Sequence, residues 1–112
     1  MEMTAFNDGS RLCVKLSGEI DHHEAKDIRE RLDKLIFENR PKALIVNLSG
    51  IVFMDSSGLG LILGRYAKAT EMGIPCILAN PNPPIRRILD LAGTERLIKI
   101  ETRGGESNRG EI

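Results

Sequence analysis

Apolar positions along this chain recur first at every second residue and later at every third or fourth, and the changes of period divide it into elements. Arg11 to Gly18, RLCVKLSG, sets Leu12, Val14 and Leu16 against Cys13, Lys15 and Ser17, the alternation of a half-buried strand. Asn7-Asp8-Gly9-Ser10 before it is a turn signal, which makes Met3 to Phe6 its hairpin partner. Asp21, with Glu24 three residues later, has the spacing of a helix start in which each side chain caps the other's backbone amide. Ala25, Ile28, Leu32, Leu35 and Ile36 then share one helical face, and Asn39-Arg40-Pro41 ends the run. Ala43 to Leu48, ALIVNL, is nearly unbroken in its apolarity, as befits a central parallel strand covered on both faces.

Beyond Met54 the period lengthens again. In FMDSSGLGLILGRY, Phe53 to Tyr66, the residues Leu59, Ile62, Leu63 and Tyr66 form one helical face. Gly60, Gly64 and Ala67 form a small-residue face on which a neighbouring helix is expected to approach closely. Gly73 is placed to close this helix in a left-handed cap. Pro75 to Ala79 predicts a second buried strand, and Asn82 caps a helix that begins in prolines. That helix points Ile85, Ile88, Leu89 and Ala92 inward and Arg86 and Arg87 outward, and Gly93 ends it. Leu97 to Ile100 is a final strand. The remainder, ETRGGESNRGEI, is glycine-rich and charged, too poor in apolar surface to offset ordering entropy, and is expected to be disordered. Alternation of this kind predicts an α/β fold, a small mixed and mostly parallel β-sheet with amphipathic helices packed on it. One domain over 1–100 and a tail over 101–112 follow.

Composition narrows the function classes. The chain has 112 residues, 41% hydrophobic, enough for a single core. Aromatics make up only 4%, so aliphatic residues must build that core, and no aromatic platform for stacking nucleic-acid bases is available. Basic and acidic residues balance at 16 each, without a basic block, which argues against nucleic acid or an anionic membrane as partner. Cys13 and Cys76 lie far apart in strand-like runs and are expected as reduced, buried thiols. The N-terminus lacks a signal-peptide pattern, and no stretch reaches the ~20 apolar residues of a membrane span; a cytoplasmic protein is expected.

Four chemistries compete for the corner at Asp55-Ser56-Ser57. Metal binding is disfavoured, because the only histidines, His22 and His23, are neighbours that point apart on a helix. A nucleophilic serine elbow needs a glycine two residues before the serine, where Met54 and Asp55 stand. A dinucleotide loop needs G-x-G-x-x-G, whereas Gly58, Gly60 and Gly64 are spaced G-x-G-x-x-x-G, and Asn80-Pro81 replaces the expected acidic residue. What remains is a serine at a helix N-terminus, where the unpaired amides and the dipole accommodate a phosphate. The plain alternative is that Asp55 or Ser56 only caps the helix.

Three motifs shift this balance. FMDSSGLGLILGRY, GEIDHH from Gly18 to His23, and DLAG from Asp90 to Gly93 together resemble the anti-sigma-factor antagonists of the STAS family, most closely those of spore-forming bacteria. The resemblance runs over about residues 3 to 100. It implies the STAS fold and a non-enzymatic protein that binds an anti-sigma factor which is also an ATP-dependent serine kinase. Binding frees the sigma factor for sporulation transcription; phosphorylation by the kinase ends it, and a serine phosphatase resets it. ATP and magnesium would belong to the kinase, leaving this chain without cofactors. By position the resemblance makes Ser56 the phosphorylated residue and Asp21 a kinase contact. The turn Ser56, Ser57, Gly58 and Leu59 becomes the docking surface, with Asp55 and Gly60 as structural support. Two other readings stay open: a STAS component of a stress-response pathway with a different kinase, and a small nucleotide-binding protein. The family's usual C-terminal helix has no counterpart in the pattern of ETRGGESNRGEI.

Overall fold

Gly9, at φ +67°, leads a two-residue turn that folds β1 (Glu2–Asp8) back on β2 (Arg11–Ile20), the glycine position of a type II′ hairpin. This computed structural model describes residues 1–102, so the disorder expected for the tail lies almost wholly outside the described residues. After the hairpin come α1 (His22–Asn39), β3 (Ala43–Met54), α2 (Ser56–Glu71), β4 (Cys76–Ala79), α3 (Pro83–Leu91), a 3-10 turn at Thr94–Arg96 and β5 (Lys99–Glu101). The sheet order is β1-β2-β3-β4-β5, antiparallel at the hairpin and parallel at every other pair. The mixed, mostly parallel α/β sheet predicted from the alternation is the fold observed.

Each crossover advances one strand in the same direction, and the right-handed rule then puts α1, α2 and α3 on one face. The core obeys that arrangement. Leu12, Val14 and Leu16 of β2, Leu44, Val46 and Leu48 of β3, and Cys76 and Leu78 of β4 cluster with Ile28, Leu32 and Ile36 of α1. The other face carries the row Phe6, Cys13, Ile45, Ile77 and Lys99, aligned across all five strands. Cys13 sits in this outer row and is only half-buried, a correction to its expected burial that follows from the period of two. Cys76 is on the helix side; burial pushes its thiol up to about 11, which keeps it protonated and inert.

α1 ends as its sequence suggests: Arg40 takes the left-handed conformation at φ 44° and its N–H donates to Ile36 O at 2.9 Å. Elsewhere four boundaries or faces differ from the pattern. β3 does not stop at Leu48 but continues to Met54. The last strand starts at Lys99 and includes Glu101, because the Thr94 carbonyl accepts from both Leu97 and Ile98 and holds Leu97 out of the sheet. Ala92, the C-cap of α3, is exposed together with Leu91. In α2 the buried stripe is Gly58, Leu61, Ile62 and Ala69, with Leu59, Leu63 and Tyr66 only flanking it. The period was legible; the phase was not, because two members of the stripe are small.

Gly60 and Gly64 do not serve close packing. A Cβ at either would have nothing within 4 Å. Gly64 therefore carries only the entropic cost of a helical glycine, and Gly64→Ala is expected to stabilise the chain by about 0.5–1 kcal/mol. Urea unfolding measures this, and a lower midpoint would reveal a close contact at position 64 after all.

Candidate functional site

The site is made where two parallel strands end level with each other. β2 and β3 are in register through Ile20 and Met54, and each passes into a helix across a single aspartate. Asp21 caps α1 and Asp55 caps α2, both in extended backbone. The Asp55 N–H donates to Ile20 O at 3.3 Å, the last rung of the ladder, so the two corners are tied side by side.

Level ends require a correction of length. β3 carries an extra residue between Asn47 and Gly50, and another between Ile51 and Phe53, relative to β2. Asn47 Oδ1 accepts from Ser49 N–H at 2.9 Å within the first bulge. Gly50 permits the close approach there: a Cβ would lie 2.4 Å from Ser17 Oγ and 2.9 Å from the Leu16 carbonyl. The bulges carry β3 through Ser49 and Gly50 into the second apolar run, Ile51 to Met54. They also turn out Val52 and Phe53, exposed by 69% and 51%, immediately before the corner.

Each carboxylate has a defined structural task. Asp55 Oδ1 accepts from Ser57 N–H at 2.8 Å and from Gly58 N–H at 3.2 Å, satisfying two of the orphan donors of α2. Asp21 Oδ1 accepts from Glu24 N–H at 2.9 Å. That bond holds the Asp21 carboxyl below the usual carboxylate range; partial desolvation opposes it, and His23 assists through its N–H and its charge. The Asp21 cap is consequently present near neutrality and is lost only as pH falls through its lowered value.

The residues expected at the site divide by exposure. Ser56, the first helical residue, is exposed, and its hydroxyl has no partner among the described residues. Asp21 is exposed beside it, while Ser57 is half-buried toward α1. Gly58, expected as a docking contact, is buried. Its Cβ would stand 2.3 Å from Met54 Cγ and 3.1 Å from Ile20 Cγ2, so it works from beneath by letting α2 start directly on the strand ends. Leu59 is half-buried against the core, and Gly60, expected as structural support, is exposed with open space around it.

Two features escaped the sequence reading. Val52 and Phe53 are exposed apolar surface on the strand that leads into the corner; the four apolar residues Ile51 to Met54 between Gly50 and the motif aspartate were the available signal. Asn82 was legible as the cap of α3, where its Oδ1 accepts from Ile85 N–H at 3.1 Å. Its Nδ2 also donates to Ile51 O at 2.6 Å, bracing the β3 bulge from the next crossover. Among the described residues no group of three or more His, Cys, Asp or Glu is gathered for a metal ion, and no helix is long and apolar enough to cross a membrane.

Residues 3–106 match the family described as the STAS domain. The chain belongs to the STAS family. Among its STAS relatives, an anti-sigma F factor antagonist of Paenibacillus polymyxa is 39% identical over 89 residues, 80% of this chain and 76% of that one. Among solved STAS structures, the anti-sigma factor antagonist SpoIIAA in its unphosphorylated form aligns with TM-score 0.69 and 29% identity over 88% of this chain and 86% of its own. The Bacillus cell fate determinant SpoIIAA in its phosphorylated form aligns with TM-score 0.71 and 29% identity over 98% of this chain and 100% of its own. In this STAS chain, then, the Asp21 and Asp55 corners sit at one end of a family fold.

Proposed function

We propose that this chain is a non-enzymatic anti-sigma-factor antagonist whose binding is switched by phosphorylation of Ser56. Unphosphorylated, it docks the Asp21 corner and the Ser56 turn, with Val52 and Phe53 as apolar contact, on an anti-sigma factor that is also a serine kinase. The sigma factor is thereby released for sporulation transcription in the cytoplasm. ATP and magnesium belong to the kinase, and a separate serine phosphatase restores the free hydroxyl.

One observation carries this reading: an exposed, unpartnered serine is the first residue of a helix whose cap is already filled by Asp55. Capping does not need the Ser56 hydroxyl, which removes the plain structural explanation for it. The likeness to SpoIIAA, solved with and without phosphate, supports a switch that leaves the fold in place.

The test is site mapping. Incubated with the anti-sigma kinase and ATP, the chain is expected to take one phosphate, located on Ser56 by tandem mass spectrometry, and Ser56→Ala none. Ser57 differs from Ser56 in being turned toward α1, so a kinase reaching the exposed corner meets Ser56 first. Phosphate found on Ser57 would overturn the assignment.

A further inference from the structure

An open trough of about 320 Å³ runs between α1 and α2. One wall is the α1 stripe His22, Lys26 and Arg29; the other is Ser57, Gly60 and Gly64 of α2. The glycines make the space, since neither position has any atom within 4 Å of where a Cβ would be. The two cations of the α1 wall, Lys26 and Arg29, are uncompensated. Arg31, Arg65 and Arg86 are paired with Asp27, Asp33 and Asp90, whereas Lys26 and Arg29 have no carboxylate within 4.0 Å among the described residues. No acidic residue lines the trough.

Arg65 of α2 also lines the trough. Arg65 Nε lies 3.0 Å from Asp33 Oδ1, and its Nη1 is buried without a hydrogen-bond partner among the described residues. Burial lowers the pKa of this guanidinium; Asp33 opposes the shift and the nearby charge of Arg29 adds to it. Positive charge is thus crowded here, in a chain whose formal net charge is zero.

We propose that this trough seats an acidic segment of the anti-sigma factor, with its carboxylates alongside Lys26 and Arg29. The inference rests on the binding role proposed above. Lys26 and Arg29 lie three residues apart, about 4.5 Å of helix at 1.5 Å per residue, and the third cation of the trough, Arg65, belongs to α2, so the charges are spread along the trough and not gathered around one point. That geometry suits successive carboxylates of a peptide better than a single small anion. Ser57 lines the trough and is the neighbour of the exposed Ser56, so a partner that covers the corner can continue into it.

The test measures affinity for the anti-sigma F factor of the same organism at about 50 and about 300 mM salt. The double variant Lys26→Glu/Arg29→Glu alters two exposed residues. It is expected to bind about tenfold or more weakly at low salt and to lose most of the salt dependence of the wild type. Gly64→Leu, which fills the trough without touching a charge, is expected to bind about tenfold more weakly with its thermal melting retained. Wild-type binding with both variants equally tight overturns the trough and leaves the antagonist role standing. Absence of wild-type binding overturns that role and this inference with it. If inorganic phosphate raises the melting temperature of the wild type but not of the double variant, and partner affinity is unchanged, the trough is a small-anion site and the proposal fails.

Discussion

Phosphorylation of Ser56 is expected to weaken binding to the anti-sigma factor by about 100-fold, equivalent to about 2.7 kcal/mol, while moving the melting temperature by less than about 2 °C. The two effects separate because the phosphate meets two different environments. Within the chain it joins the N-terminus of α2, where the dipole attracts it and the Asp55 carboxylate, bonded to Ser57 and Gly58 N–H, repels it. These terms oppose each other, and solvent at the exposed Ser56 screens both. In the complex the same group would be desolvated against the partner, where about two negative charges and three acceptor oxygens find no place prepared for them. Calorimetric titration of both forms, with a melting scan of each, reads the two numbers independently. A phosphorylated chain that unfolds much earlier, with affinity reduced only in proportion, would make the switch one of stability and overturn the dipole argument. Ser56→Ala is expected to bind like the unmodified chain, because its hydroxyl holds nothing together.

Gly58→Val is expected to cost about 3 kcal/mol of folding stability, against the gain expected for Gly64→Ala in the same helix. A Cβ at Gly58 would overlap Met54 Cγ at 2.3 Å and press on Ile20 at 3.1 and 3.2 Å. Those residues are the last of β3 and β2 and are themselves buried, so the strain falls on the junction that holds the two corners level. The α2 N-terminus must lift, and with it the amides that Asp55 caps. For a domain of this size a loss of that order is a large share of the total stability. Equilibrium urea unfolding decides the matter: a Gly58→Val chain as stable as the wild type would show that α2 does not rest on Ile20 and Met54. The opposed signs at positions 58 and 64 test whether the motif glycines act through one close contact or through a general need for small residues.

Much of this was legible along the chain. Period two placed β2, period 3.6 placed α1 and α2, and the short-range chemistry of Asp21, Asn82 and Gly73 marked helix ends, because capping and turns involve residues within a few positions of one another. The corner at Asp55-Ser56 was visible for the same reason. The choice between Ser56 and Ser57 came from family likeness, and the structure adds the exposure that separates them.

Other features depend on which strand lies beside which. The bulges in β3 match it to β2, so the strand continues beyond Leu48 to Met54 and exposes Val52 and Phe53. The buried phase of α2 follows from Gly58 resting on Ile20, a contact across 38 residues that no local pattern announces. The open trough beside Lys26 and Arg29 likewise arises only once α1 and α2 are neighbours. The sequence by itself determined the elements, their order and the capped serine, since these rest on local hydrogen bonding and periodicity. Only the tertiary structure decided how the two aspartate corners align, because strand register and the space between helices are set by packing between segments distant in the chain.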